Sequence, residues 1–168
     1  MPMLLKWSED RALAVEDPFT AVADDETIPP GEVIVSLARL EADGPWLIAQ
    51  DRSVGVRLPS DADPQALAPW LGRLALIAVE FPRFRDGRVY SLAQLLRERL
   101  GWKGELRAVG DVLVEQSNFM LRCGFDAFEP ADGSTPREWT AAAQRHRHVY
   151  QRASDGRSPA FAEREAVS

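Results

Sequence analysis

The chain has 168 residues, 45% of them hydrophobic and 27% charged, which predicts a single globular domain with a substantial core. Its formal net charge of −6 argues against a dedicated nucleic-acid-binding protein, because phosphate contacts require a net basic surface. The only cysteine, Cys123, excludes an intrachain disulfide framework and a zinc site built from thiolates of this chain alone.

The N-terminal residues lack the charged start and the continuous apolar stretch of a signal peptide. No segment approaches the roughly 18 consecutive apolar residues of a membrane span. We therefore expect a reduced, cytoplasmic protein that makes no membrane contact.

The first third of the sequence gives few signals. Residues 17–31 are polar, acidic and rich in proline, which is typical of a surface connection. Residues 32–42 fit both a strand and a helix, and good helix formers favour a helix over their second half. The structure of residues 1–53 is otherwise left open.

A regular alternation of strands and helices begins at Val54. Apolar runs predict strands over 54–59, 74–81, 105–109 and 125–130. One helix is predicted from an N-cap at Asp63 with Pro64 first, and a second over 91–100 behind a capping box of Ser91 and Gln94. A third is predicted from an N-cap at Asp111 to Gly124, and a fourth over 137–152, with Thr135-Pro136 resembling its start.

Alternating strands and helices imply right-handed crossovers and therefore a parallel sheet. We predict an α/β fold with an open, mainly parallel sheet. A half-barrel-like α/β fold, completed by the N-terminal third or by dimerisation, is the alternative. Residues 1–152 are expected to form one domain, with the clearest βαβ repeat at 54–130, and residues 153–168 a flexible tail on composition.

Ligands of such sheets bind beyond the carboxyl ends of the strands. Three predicted strands end in polar loops, which we expect along one edge of the sheet. Arginine forks and a helix N-terminus suit an anion such as sulfite, sulfate, phosphate or a carboxylate, or an acidic partner. The predicted anion- or partner-binding residues are Arg83, Arg85, Asp86, Arg88, Tyr90, Ser91, Asp111 and Glu129.

Structural roles explain most of the other reactive side chains. Glu80 with Asp86, Asp111 and Glu129 fits a magnesium cluster, but ordinary loop carboxylates and caps explain them equally well. Cys123 lies at a predicted helix C-terminus, where the dipole disfavours a thiolate, so it is interpreted as a core residue. His146 and His148 are two residues apart and point to different sides of a helix. We predict no metal site.

The sequence contains no phosphate-binding glycine loop, dinucleotide fingerprint or nucleophile elbow. It also shows no flavin, haem or iron–sulfur signature. Catalytic residues, substrate and cofactor therefore stay undetermined at this stage.

Three phrases within residues 54–129 resemble a bacterial family, domain of unknown function 934: "FPRFRDGR-YS", "GELRAVGD" and "RCGFDAFE". Members of that family are commonly labelled oxidoreductases and tend to be encoded beside assimilatory sulfite reductase and other cysteine-biosynthesis genes. The resemblance implies a role in sulfur assimilation.

Two functions follow as expectations. The first is an accessory protein that acts with sulfite reductase, for which the acidic chain and a basic helix at 137–152 suit docking. The second is a small enzyme or binding protein for a sulfur oxyanion or a related anionic small molecule. A homodimer is compatible with either.

Overall fold

The computed structural model describes residues 3–82 and 87–145, which form one eight-stranded sheet and four α-helices. The strands are β1 (Leu4–Ser8), β2 (Arg11–Val15), β3 (Phe19–Ala21), β4 (Glu32–Ser36), β5 (Val54–Leu58), β6 (Leu76–Phe81), β7 (Glu105–Gly110) and β8 (Ala127–Phe128). The helices are α1 (Leu37–Ile48), α2 (Arg88–Gln94), α3 (Ser117–Cys123) and α4 (Pro136–Gln144). Short 3₁₀ turns cover Pro64–Leu67 and Val114–Gln116, and a π-helical turn, Leu95–Arg99, continues α2.

The sheet is mainly parallel, as the alternation predicts. Its strand order is β2-β1-β8-β7-β6-β5-β4-β3, and every neighbouring pair from β3 to β8 is parallel. Only β1 runs against its two neighbours. Because β3 to β8 follow one another without a reversal, the sheet contains no topological switch point, and the carboxyl ends of these six strands share one edge.

The connection between β2 and β3 forces the sheet to curl. These strands are the two outer strands, yet only residues 16–18 join them. Four Cα–Cα steps span at most ~14 Å, whereas the outer strands of a flat eight-stranded sheet would lie roughly 34 Å apart. The sheet is therefore a curled half-barrel. The N-terminal third supplies four of its strands, β1 to β4, which agrees with the predicted alternative of a half-barrel completed by that part of the chain.

All four helices pack on the same face of the curled sheet. Side chains from α1, α2, α3 and α4 join one buried cluster with alternate strand residues such as Val56, Val79 and Ala108. The opposite face carries no described helix, and its apolar residues form a second, smaller cluster around Ile34, Leu76 and Val109. We call this second surface the helix-free face.

Several predicted helix boundaries are confirmed. The Asp63 side chain accepts a hydrogen bond from the Gln65 N–H, and Pro64 follows it in the first helical position. Gly124 ends α3 in the left-handed conformation, and Thr135 forms a capping box with Glu138 at the start of α4. The second half of residues 32–42 is helical, as expected.

Two predicted caps are wrong. Ser91 is not a cap, because α2 begins three residues earlier at Arg88, behind Gly87. Asp111 does not cap α3 either, because an extended residue and a 3₁₀ turn separate it from Ser117. Helix α4 is described to Gln144, and the remainder of the predicted 137–152 helix and the 153–168 tail lie outside the described residues. Within residues 3–82 and 87–145, every helix is too short or too polar for a membrane span.

Gly110 is the last residue of β7 and lies opposite Phe81, the last residue of β6. It lies at the edge of the sheet that the carboxyl ends of the parallel strands form, which we call the carboxyl edge. Its φ is +89°, and a Cβ atom at this position would clash with the carbonyl oxygen of Phe81. The next residue, Asp111, donates its N–H to that same oxygen at 3.0 Å. A side chain here is thus opposed both by the backbone conformation and by the neighbouring strand.

We predict that Gly110→Ala lowers the free energy of unfolding by about 2 kcal/mol or more, because left-handed strain and the clash with Phe81 add. Gly72→Ala is the matched control, since an added Cβ there meets nothing within 4 Å and the φ of Gly72 is not positive. Urea denaturation followed by circular dichroism measures both variants. Equal stabilities for the two variants would contradict this account of the edge.

Candidate functional site

The three loops predicted to carry the site do share one edge of the sheet. Strands β6, β7 and β8 are parallel neighbours, so their carboxyl ends lie side by side. Main-chain hydrogen bonds connect the loops, from the Asp111 N–H to the Phe81 carbonyl and from the Ala131 N–H to the Val112 carbonyl at 2.8 Å. These hydrogen bonds hold the backbone of the carboxyl edge in place at residues 110–112 and 129–131.

The predicted site residues fall into three groups. Arg83, Arg85 and Asp86 lie outside the described residues, as do His146 and His148. Arg88 and Ser91 are exposed at the start of α2, Tyr90 and Asp111 are half-buried, and Glu129 turns towards the helix-free face. The edge thus presents Arg88 and Ser91 to solvent, whereas the Glu129 carboxylate is engaged inside the sheet.

Tyr90 belongs to a row of aromatic rings that leads from the core to the surface. Phe125 is 1% exposed and lies 5.5 Å from the ring of Phe81. Phe81 makes an edge contact with Tyr90 at 5.6 Å, and Tyr90 makes another with Phe119 at 4.5 Å. Phe119 is 49% exposed, so the row ends in an apolar ring at the surface of α3.

A charged cluster that the sequence did not reveal lies on the helix-free face. Arg107 in the middle of β7 is fully buried. Its Nε donates to Glu105 at 2.8 Å, Nη1 donates to Asp17 at 2.6 Å and Glu129 at 3.2 Å, and Nη2 donates to Asp17 at 3.2 Å. The guanidinium also lies 5.9 Å from the centre of the Phe19 ring, within cation–π range.

The carboxylates keep Arg107 charged despite its burial. Burial acts to lower the pKa of Arg107, but hydrogen bonds and ion pairs with Asp17 and Glu105 outweigh it and raise the pKa. A planar fork of donors suits this arrangement, because Asp17 accepts from both Nη atoms. The cluster therefore satisfies its own charges and does not present an open anion site.

Two further ion pairs lie on the helix-free face. Lys6 contacts Glu105 at 3.0 Å, and Arg57 contacts Glu80 at 3.2 Å. Glu80 and Glu129, two members of the alternative magnesium cluster, are thus each paired with an arginine. Among the residues that the structure describes, no group of three or more His, Cys, Asp or Glu side chains is placed to hold a metal ion. Cys123 is 2% exposed, in line with its interpretation as a core residue.

A half-buried arginine fastens the amino-terminal side of the sheet. Arg97, in the π-helical turn, donates to the carbonyls of Gly124, Trp102 and Gly104 at 2.8–3.0 Å. Burial lowers its pKa even though Asp126 lies 3.4 Å away. Burial likewise raises the pKa of Asp126, and its hydrogen bond from the Leu106 N–H and its pairing with Arg97 offset this only in part.

Asp132 fastens the loop between β8 and α4. It accepts hydrogen bonds from the Ser134 N–H and hydroxyl and from the Val114 N–H. Ser134 in turn accepts from the indole N–H of buried Trp139 at 2.6 Å. Burial acts to raise the pKa of Asp132, but these hydrogen bonds outweigh it and the pKa is lowered.

Removing the Arg107 fork leaves three carboxylates close together without their cation. We predict that Arg107→Met lowers the free energy of unfolding by roughly 3–5 kcal/mol, the usual cost of breaking a buried pair on one side. Arg107→Lys should lose less, because it keeps the charge but not the fork. Chemical denaturation measures both, and a Met variant as stable as the wild type would show that the cluster does not stabilise the fold.

We predict opposite pH dependences for Asp132→Asn and Asp126→Asn. The lowered pKa of Asp132 gives stability that is present above its unfolded value and is lost as the pH falls through the folded pKa. The raised pKa of Asp126 gives stability that is present below its unfolded value and is lost as the pH rises through the folded pKa. Relative to wild type, Asp132→Asn should therefore gain stability on acidification and Asp126→Asn should lose it.

Urea unfolding between about pH 3 and pH 7, the range that contains the ordinary carboxyl pKa values, measures the two differences. Parallel profiles for the two variants would contradict the assignment of opposite shifts.

The comparisons with known proteins identify a family for this chain. No curated protein matches the chain significantly. Residues 55–161, well over half of the chain, match the family described as bacterial protein of unknown function (DUF934). The match includes all but the first residue of β5, the strands β6 to β8 and the segments that follow these strands. This chain therefore belongs to the DUF934 family of bacterial proteins.

Proposed function

We propose that this chain is a cytoplasmic accessory protein of sulfur assimilation that docks on sulfite reductase. The metabolic setting is what the resemblance to this family implies, because its members tend to be encoded beside the reductase. The structural observation that carries the docking role is the exposed end of the aromatic row at Phe119, which lies 4.5 Å from the Tyr90 ring. Exposed aromatics that are held in place by other rings are typical contact residues of protein interfaces.

The internal contacts of the charged residues also favour docking over catalysis by this chain. The richest set of charged groups, around Arg107, is bonded to itself inside the sheet. Glu129, which the sequence placed in the candidate site, accepts one of these hydrogen bonds. In this role the reduction itself belongs to the reductase, and this chain assists its assembly or its supply of substrate.

An oxyanion-binding function is the second candidate. Arg88 and Ser91 are both exposed in the first turn of α2, and a guanidinium with a hydroxyl suits sulfite or sulfate. This function and the docking function make different demands, because binding of a small anion needs only the isolated chain.

The two functions are separated by size-exclusion chromatography with the purified sulfite reductase of the same bacterium, with and without sulfite. We expect a stoichiometric complex that elutes ahead of either protein and does not require sulfite. Two separate peaks under both conditions would reject the accessory function.

Calorimetric titration of the isolated chain with sulfite and with sulfate completes the comparison. Saturable binding that is lost in Arg88→Ala, with an unchanged circular dichroism spectrum, would establish the oxyanion-binding function instead.

A further inference from the structure

Three residues lie on one side of α3 and of the 3₁₀ turn that precedes it: Gln116 at the end of that turn, and Phe119 and Arg122 in the helix. Gln116, Phe119 and Arg122 are spaced by three, so they follow one another along the same side of the helix. We call them the α3 row. Each is at least partly accessible, because Phe119 is exposed and the other two are half-buried.

Phe119 is the apolar centre of the α3 row. It is 49% exposed, yet its ring makes an edge contact at 72° with Tyr90, which in turn contacts Phe81. Phe81 is only 6% exposed, so the surface ring is supported by the core. A side chain that is already ordered loses little conformational entropy on binding, and this favours it as an anchor.

The other two residues of the α3 row each contain a buried polar atom without a partner. Gln116 Oε1 and Arg122 Nε are both shielded from solvent and have no hydrogen-bond partner in the described part of the chain. Such a group costs about 1–3 kcal/mol, and native proteins contain few of them. Both residues are half-buried, so part of each remains accessible to a partner molecule.

Ser117 Oγ is a third buried atom without a partner, but it has a different position. Ser117 is fully buried with Met120 on the inner side of α3, so a docking molecule does not reach it. Only the groups of the α3 row therefore bear on an interaction.

The chemistry of the α3 row defines its partner. Phe119 requires an apolar pocket, Gln116 Oε1 requires a donor, and Arg122 requires an acceptor, best a carboxylate. Arg122 gives the α3 row a positive charge, whereas the whole chain has a formal net charge of −6. Charge complementarity thus favours a partner that is acidic around its pocket.

We propose that the α3 row is the surface through which this chain docks on a partner protein, with Phe119 inserted in an apolar pocket that is bordered by carboxylates. The inference rests on the proposed function, which makes sulfite reductase that partner. It deepens that function by assigning the contact to α3 and by stating the chemistry of the surface it meets.

The test compares Phe119→Ala and Arg122→Glu with Trp46→Ala. Trp46 is the matched control, because it is an even more exposed aromatic residue, at 57%, on a different helix, α1. Biolayer interferometry against immobilised sulfite reductase measures the dissociation constants. Circular dichroism and thermal melts verify that all variants fold, which their exposed or half-buried positions favour.

We expect Phe119→Ala to weaken binding at least ~30-fold, as for a hot-spot aromatic. Arg122→Glu should weaken binding at least ~10-fold by opposing the acidic rim, and Trp46→Ala should stay within about twofold of wild type. Wild-type binding that Phe119→Ala leaves unchanged would overturn the assignment to α3 and leave the accessory function intact. Absence of binding by the wild type would overturn the accessory function and this partner together.

Discussion

The three-residue connection between β2 and β3 forces the sheet to curl, and the bonding of Arg107 to Asp17 fastens that connection to the centre of the sheet. Asp17 lies in the three-residue connection between the outer strands β2 and β3, whereas Arg107 lies in the middle of β7. The Asp17 carboxylate accepts from both Nη atoms of Arg107 and also from the Phe19 N–H that begins β3. One carboxylate thus sets the start of an outer strand and fastens it to the centre of the helix-free face.

The remaining bonds of Arg107 extend this link to the other side of the sheet. Glu129 follows β8, and Glu105 connects to Lys6 of β1. Burying a guanidinium is costly unless its donors are satisfied, so the cluster forms only when these segments come together. The same cluster therefore specifies which edges approach each other and leaves the carboxyl-edge loops on a scaffold of fixed shape.

The sequence predicted those parts of the fold whose structure follows from local residue patterns, namely buried apolar runs and helix caps. The runs that form β5 to β8 are nearly continuous apolar stretches between helical patterns, and Asp63 and Thr135 are ordinary caps. The β1–β2 hairpin escaped prediction because its turn places Glu9 and Asp10 at φ 51° and 63°, conformations for which Asn-Gly is the usual signal.

The cluster around Arg107 was not predicted from the sequence, for a different reason. Asp17 and Arg107 are 90 residues apart, and no local pattern pairs them. The one available signal was an arginine inside the strand phrase "ELRAVG", where alternation places it on the same face as Glu105. Of the candidate site, sequence reasoning located the edge and the exposed Arg88, but not Phe119, whose exposure depends on how α2 and α3 pack.

Arg107 of β7 and Arg122 of α3 differ in whether their N–H groups find hydrogen-bond acceptors within the chain, and this difference distinguishes a structural role from a role in binding. Arg107 makes four hydrogen bonds to three carboxylates of its own chain and is fully buried, so a partner gains nothing from it. Arg122 Nε makes none within the described residues and lies three positions from an exposed aromatic ring. Because native chains leave few buried donors without an acceptor, this contrast supports the proposal that a carboxylate of the partner completes the hydrogen bonds of Arg122.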